Sequence, residues 1–463
     1  MGGLAFVFSG QGDQYPGMGV VSPVGSAVET AWRNLIDGFN GIGPITRFDT
    51  TNYKAKLGAE IKDFDPLAYM ERGEMLHSDL FTQYAMGAAV QAVEESGVIG
   101  TLSPDRIAVY FGSGIGGLNT VSAEIGKLES RGPHRVSPNC VPMMIANMAA
   151  GMIAIRYHCQ GPALPAVTAC ASGSNAIGEA LRLIRHGYAD AVITGGAEAS
   201  IVPVGIAGFI NMRALTTAED PNAASLPFDQ RRSGFVCGEG AAALVLEEYG
   251  HAMARGARIY GEVSGYGSTC DAYHITAPHP QAEGGARAME QALKKAAYSV
   301  GESVYINAHG TGTPLNDAGE TLAIKKALGE TEARKTLISS TKSMTGLEIT
   351  EDNRVVRLER MIGGTARPSA PAAAPVLPEE PADDGCYSVK SPMVGLFYAV
   401  PAENAEPYVA LGDRVRMGQT LCIVEAMKLM NELSAECDGV IEKICVTNGQ
   451  MVEYGTELFR IRR

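Results

Sequence analysis

Between Thr365 and Asp384 the chain sets Pro368, Pro371, Pro375, Pro378 and Pro381 among alanines and acids, with almost nothing to bury. Proline fixes φ and removes a backbone donor, so neither a helix interior nor a central strand can run through this stretch. It is a linker, and whatever lies on either side must fold separately. Extended as polyproline, it would reach roughly 60 Å at about 3.1 Å per residue, enough to let the downstream part swing between sites.

The whole chain has 463 residues, length for two or three domains, and its 46% hydrophobic content can fill sizeable cores. No apolar run reaches the roughly 18 residues of a bilayer span and no signal-peptide pattern opens the chain, so the cytoplasm is the expected compartment. The nine cysteines include no CxxC pair and no Cys/His ligand spacing, so reduced thiols are expected and neither a disulfide framework nor a metal site. The formal charge of -13 argues against nucleic acid as a partner.

Upstream of about Gly346, strand-like runs alternate with helical patterns: Ile107 to Phe111, Val167 to Cys170 followed by Ala176 to Ile184, then Ala191 to Gly195. This is the rhythm of a layered α/β domain. Residues Cys386 to Arg463 have short β-branched runs, frequent glycines and no helical period, which predicts a small β domain.

That β domain contains a repeat. Gly412-Asp-Arg-Val415 with Gly418 and Leu421 recurs as Gly449-Gln-Met-Val452 with Gly455 and Leu458, an offset of 37. Val394-Gly395 and Asp438-Gly439 are offset by 44, so the first half holds seven extra residues, read as a protruding loop over Tyr398 to Tyr408. Between the halves lies Glu425-Ala-Met-Lys-Leu-Met430, with Lys428 framed by Met427 and Met430 at the tip of an expected hairpin. A carrier lysine needs a mobile end on a rigid base, and a tight turn between strands supplies both.

With Ser391-Pro-Met-Val-Gly395, Cys422-Ile-Val-Glu-Ala-Met-Lys-Leu-Met430 and the terminal repeat, residues 386–463 resemble the biotinyl domain of the carrier protein of bacterial acetyl-CoA carboxylase. The seven extra residues coincide with that family's thumb. The resemblance implies biotin amide-linked to Lys428 by a biotin protein ligase. It further implies carboxylation by a biotin carboxylase and discharge by a carboxyltransferase to make malonyl-CoA. Residues 347–361, with Glu348-Ile-Thr-Glu-Asp-Asn-Arg-Val-Val-Arg357, look like a remnant of that carrier's N-terminal piece.

A second chemistry sits upstream. Cys170, in Thr168-Ala-Cys-Ala-Ser-Gly173, follows an apolar run and precedes a helix, whose N-terminus favours a thiolate. His309 lies in Asn307-Ala-His-Gly-Thr-Gly-Thr-Pro314, followed by Asn316-Asp-Ala-Gly-Glu320. With Pro227-Phe-Asp-Gln-Arg-Arg-Ser-Gly-Phe235, Gly238-Glu-Gly240, Asp271-Ala-Tyr-His274 and Ser340-Thr-Lys-Ser-Met-Thr-Gly346, residues 18–346 resemble an elongating β-ketoacyl-ACP synthase of the thiolase-like superfamily. The resemblance implies that Cys170 takes an acyl chain from acyl carrier protein as a thioester, which the enolate of decarboxylated malonyl-ACP attacks. It assigns His309 as one of two hydrogen-bond donors to the thioester carbonyl, with Lys342 and Glu320 in support.

The departure from that family is severe. Its second histidine follows Ser-Met-Thr-Gly, where this chain has Leu347, and the closing strands and the glycine-rich oxyanion loop beyond it are missing. Loss of one oxyanion donor costs about 10²- to 10³-fold, so condensation is expected to be impaired. Residues 1–17, with Phe6-Val-Phe-Ser-Gly-Gln-Gly-Asp-Gln-Tyr-Pro-Gly-Met-Gly19 running across their end, look like the opening of a malonyl-CoA:ACP transacylase. That family's G-x-S-x-G nucleophile is absent, and Phe6 to Ser9 are expected to replace the synthase's first strand. Gly112-Ser-Gly-Ile-Gly-Gly117 formally fits a dinucleotide fingerprint, but no acid stands about 20 residues on, and its glycines are read as close packing near the cysteine.

The expected architecture is an α/β thiolase-like layered domain, incomplete at its C-terminal end, plus a flattened all-β barrel. The divisions are 1–17, 18–346, 347–361, the linker 362–385 and the biotinyl domain 386–463. The leading reading is a biotin carboxyl carrier for fatty acid synthesis joined to an impaired condensing domain. The alternative is a working acyltransferase that uses Cys170, and a third is a deletion product without selected function. A homodimer is implied if the truncated domain folds.

Overall fold

The computed structural model describes residues 4–302, 304–346, 386–391, 395–400, 407–426, 429–435, 437–452 and 456–462. The chain divides into two compact units, Met1–Arg360 and Met361–Arg463. Residues 347–385, assigned from sequence to the carrier remnant and the linker, lie outside the described residues.

The first unit carries strands β1 (Leu4–Val21), β2 (Gly43–Pro44), β3 (Leu57–Ala59), β4 (Ile107–Gly112), β5 (Ala163–Ala166), β6 (Ala191–Ala199), β7 (Cys237–Glu247), β8 (Glu262–Ser268), β9 (Tyr305–Asn307) and β10 (Leu337–Ser339). Eight of them form one sheet in the order β2-β3-β7-β6-β4-β5, with β1 pairing both β7 and β8. β6 is buried at every position, as expected for a central strand covered on both faces. The helix Leu80–Ser96 buries twelve residues under one face, and the helix Ser172–Arg185 presents Ile177, Leu181 and Ile184 to the core beside β6. β1 runs unbroken across the expected boundary at residue 17, its Leu4–Val7 segment paired antiparallel with β8 and its Gly17–Val21 segment with β7. The opening segment thus takes a strand's place in the sheet, as read from Phe6 to Ser9.

One local expectation fails. The strand before the cysteine is Ala163–Ala166, not Val167 to Cys170, and it contains Pro165. It tolerates the proline because β5 is the sheet's edge, where one side of the strand needs no partner. β9 and β10 form a separate parallel pair, and Leu337 and Ile338 of β10 are exposed.

The second unit contains β11 (Cys386–Lys390), β12 (Gly395–Tyr398), β13 (Arg414–Val415), β14 (Thr420–Ala426), β15 (Leu429–Ser434), β16 (Gly439–Ile444), β17 (Gln450–Val452) and β18 (Glu457–Arg462). They form two four-stranded sheets, β11-β18-β16-β13 and β15-β14-β12-β17. The sequence repeat maps β14 onto β18, β13 onto β17 and β12 onto β16, so the two sheets share one order. The pairing Gly395↔Val452 in one sheet repeats as Gly439↔Val415 in the other. The repeated Val415, Val452, Leu421 and Leu458 are all buried, in a core that also holds Phe397 and Phe459. At the expected thumb the Tyr408 N–H donates to the Ala399 carbonyl (2.9 Å), while residues 401–406 lie outside the described residues.

Candidate functional site

Cys170 sits on a tight turn between β5 and the helix Ser172–Arg185. Ala169, just before it, adopts φ 54°, a left-handed conformation that costs a non-glycine residue of order 1 kcal/mol. Hydrogen bonds from all sides hold it there. Ser172 Oγ donates to the Ala169 carbonyl (2.7 Å) and accepts from the Thr168 N–H (2.9 Å), and Thr168 Oγ1 donates to Asn175 Oδ1 (2.6 Å). Beneath the turn lies Gly112 at the end of β4, where a Cβ would stand 2.3 Å from the Ser172 carbonyl carbon. The glycine-rich run therefore serves close packing, as its sequence context indicated.

His309 follows β9 on the loop before the helix Pro314–Leu328. That helix stitches the loop down with two acids one turn apart. Glu320 accepts from the His309 N–H (2.7 Å) and the Gly310 N–H (2.8 Å). Asp317, which the motif reading did not single out, accepts from the Phe228 N–H (2.7 Å) and the Gly312 N–H (3.2 Å). Ser340 Oγ donates to the Gly310 carbonyl (3.0 Å), tying the loop to the segment that leads into Lys342. Lys342 is buried at the start of the short helix Lys342–Thr345, and its carbonyl accepts from Ser225 Oγ (2.6 Å).

These side chains form one electrostatic neighbourhood. Burial raises the Cys170 thiol above its ordinary range, against which the Lys342 charge pulls it down. Burial, with the Lys342 charge adding to it, pushes His309 down to about 3, so its imidazole is neutral near pH 7 and carries one N–H donor. Burial also raises Glu320, offset by its two backbone donors and by Lys342. Lys342 thus acts on Cys170, His309 and Glu320 alike, which places the four in one neighbourhood. Glu198, absent from that set, joins it: burial lifts its carboxyl to about 7, and its charge acts on Cys170.

Lys428 and Met427 lie outside the described residues, and Met430 is described through its backbone. What flanks them is well defined. β14 and β15 pair as Glu425↔Met430 and Ala426↔Leu429, so two residues join the strands. Tyr398 Oη donates to Glu425 Oε2 (2.8 Å), linking the foot of the expected thumb to the strand that leads into Lys428.

Residues 16–252 match the β-ketoacyl synthase N-terminal domain and residues 260–348 its C-terminal domain, so the chain belongs to the β-ketoacyl synthase family. Residues 387–461 match the family described as biotin-requiring enzyme, and one chain carries both. Its relatives narrow the first unit further. The 3-oxoacyl-[acyl-carrier-protein] synthase 2 of Synechocystis sp. is 50% identical over 332 residues, covering 71% of this chain and 80% of the relative. That of Staphylococcus aureus is 49% identical over 331 residues, covering 71% and 82%. Among solved structures, a β-ketoacyl synthase from Burkholderia phymatum superposes with a TM-score of 0.66 at 32% identity, covering 75% of this chain and 82% of that one. An AntDE:AntF ketosynthase in complex with its acyl-carrier protein gives 0.66 at 30% identity, covering 73% and 82%. The first unit is accordingly thiolase-like in fold. Among the described residues no helix is long and apolar enough to cross a membrane.

Proposed function

We propose that this chain is a biotin carboxyl carrier of the acetyl-CoA carboxylase type, joined to a condensing domain of impaired activity. The observation that supports it most is the pairing of β14 with β15, continuous from Cys422↔Leu433 to Ala426↔Leu429, which leaves Met427 and Lys428 as the two residues between the paired strands. The sheets behind them share one order and one buried core, the rigid base that a carrier lysine requires. Biotin on Lys428 would hold the carboxyl group. The protein's own part is to present that lysine first to a biotin protein ligase, then to biotin carboxylase and carboxyltransferase. The divisions at 17, 346, 361 and 385 belong to this reading.

The impairment rests on what the matched region lacks. Its likeness to the synthase family ends at residue 348, and the match covers 80% of the relative's length. Position 347 carries leucine where the family's second histidine is expected, and the described β9–β10 pair leaves apolar residues exposed.

A second reading is favoured by the Cys170–His309–Lys342 set, in which a cysteine and a neutral histidine share the field of one lysine, an arrangement that would suit acyl transfer to Cys170. On that reading acyl carrier protein is a partner. The exposed edge strand β5, with Leu164 and Val167 open, suits a second copy of the chain. Expression with a biotin ligase followed by an avidin blot separates the two. A band abolished by Lys428→Arg supports the carrier, whereas no band together with rapid acylation of Cys170 by acyl-ACP supports the acyltransferase.

A further inference from the structure

Glu198 is the only charged residue on β6, a strand buried throughout. Its side chain is hydrogen-bonded on both oxygens. Oε2 accepts from the Gly114 N–H (2.9 Å) and the Ile115 N–H (3.1 Å), and Oε1 accepts from Ser200 Oγ (2.9 Å). A Cβ built on Gly114 would stand 3.0 Å from Glu198 Oε2 and 3.2 Å from the Ala169 carbonyl oxygen. The carboxylate and the left-handed residue that presents Cys170 therefore flank the same glycine.

We propose that Glu198 is a positioning residue for Cys170: it anchors the Gly114–Ile115 backbone against the Ala169–Cys170 turn and sets its carboxylate beside that turn. There its charge adds to burial, the larger effect, in keeping the sulfur a thiol. The inference rests on Cys170 being the acyl-accepting nucleophile. A resting thiol is much less open than a thiolate to stray alkylation and oxidation, which matters for a partly exposed cysteine.

The groups around Cys170 make the sign clear. Lys342, from its own helix, favours the thiolate, while Glu198 on β6 opposes it. Cys237, at the start of β7, lies in the field of both Glu198 and Cys170. His309 is held neutral. Glu198 itself, lifted by burial to about 7, is ionised across the range in which a buried thiol titrates. Removing its charge must lower the pH at which Cys170 ionises.

The test is the pH dependence of iodoacetamide alkylation of the full chain, followed by mass mapping at Cys170 from about pH 6 to 10. Glu198→Gln is expected to lower the Cys170 midpoint by on the order of one pH unit, giving up to roughly tenfold faster alkylation between about pH 8 and 9, where wild-type Glu198 is ionised, and a much smaller gain at pH 7. Glu198→Ala removes the same charge without setting an amide against two N–H donors, and it carries the test if Glu198→Gln does not fold. Glu198→Asp, which keeps the charge, is expected to stay near the wild-type midpoint, and the exposed Cys270 supplies an internal reference. A folded neutral variant with the wild-type midpoint overturns the proposal, as does a Glu198→Asp shift as large as that of the neutral variants. Failure of the underlying reading looks different: the midpoint shifts as expected, yet wild-type Cys170 takes no acyl group from acyl-ACP.

Discussion

Glu320→Gln is the sharpest perturbation of the upstream site, because the residue's short hydrogen bonds go to two backbone groups, with only a long one (3.4 Å) from Asn316 Nδ2 beside them. Its carboxylate accepts from the N–H groups of His309 and Gly310 at 2.7 and 2.8 Å. Hydrogen bonds to a charged acceptor contribute about 1.5–3 kcal/mol each. A glutamine keeps one acceptor oxygen and turns its NH₂ toward the second donor, so one bond is lost and a donor–donor contact replaces it. The neutral amide costs less to bury than the carboxylate, which offsets part of the loss. The net cost is about 2 kcal/mol at pH 8. The assay is urea unfolding followed by the fluorescence of Trp32, the chain's single tryptophan, which lies on the helix Val28–Ile36 and so reports the first unit. A midpoint displaced by less than about 0.5 kcal/mol, in a protein with wild-type circular dichroism, would refute the claim that Glu320 holds the His309 loop.

His309 makes the first unit acid-sensitive. Its folded value of about 3 lies below the unfolded value of 6.5, so between those limits the unfolded chain binds a proton that the folded chain refuses. Stability contributed by the neutral imidazole is full above 6.5 and falls by up to about 1.4 kcal/mol per pH unit on acidification; His309→Asn should flatten that slope in urea titrations. Gly112→Ala forces a Cβ against the Ser172 backbone, with an expected cost of at least about 2 kcal/mol and a loss of Cys170 acylation, read by unfolding midpoint and mass mapping. Val415→Ala and Val452→Ala occupy equivalent buried positions in the two sheets, so each should cost about 2 kcal/mol. Limited proteolysis of the full chain should then show nearly equal loss of protection over residues 386–463. A twofold or greater difference in free energy would break the equivalence.

The β unit was largely legible because its repeat is written twice: an offset of 37 in sequence becomes β14 and β18 in matching sheets, and the same offset relates the buried pairs Val415 with Val452 and Leu421 with Leu458. The cysteine turn was harder. An apolar run ending at Cys170 reads as a strand, yet the strand stops at Ala166 and Ala169 turns left-handed, a tertiary constraint imposed by Ser172 and Gly112. Pro165 argued locally against the strand that is present, and nothing in the sequence says that this strand is an edge. Glu198 and Asp317 escaped the motif reading, although each left a trace. One is a lone acid inside a buried apolar strand, and the other stands one helical turn before Glu320.

Carboxylation of the biotinylated full chain by a biotin carboxylase, with ATP and labelled bicarbonate, tests the carrier claim most directly. The account predicts label that is retained on wild-type chain, released by carboxyltransferase with CoA acceptor, and absent from Lys428→Arg. Biotinylated chain that accepts no label from an active carboxylase, while Cys170 turns over acyl-ACP at enzymic rates, would contradict it.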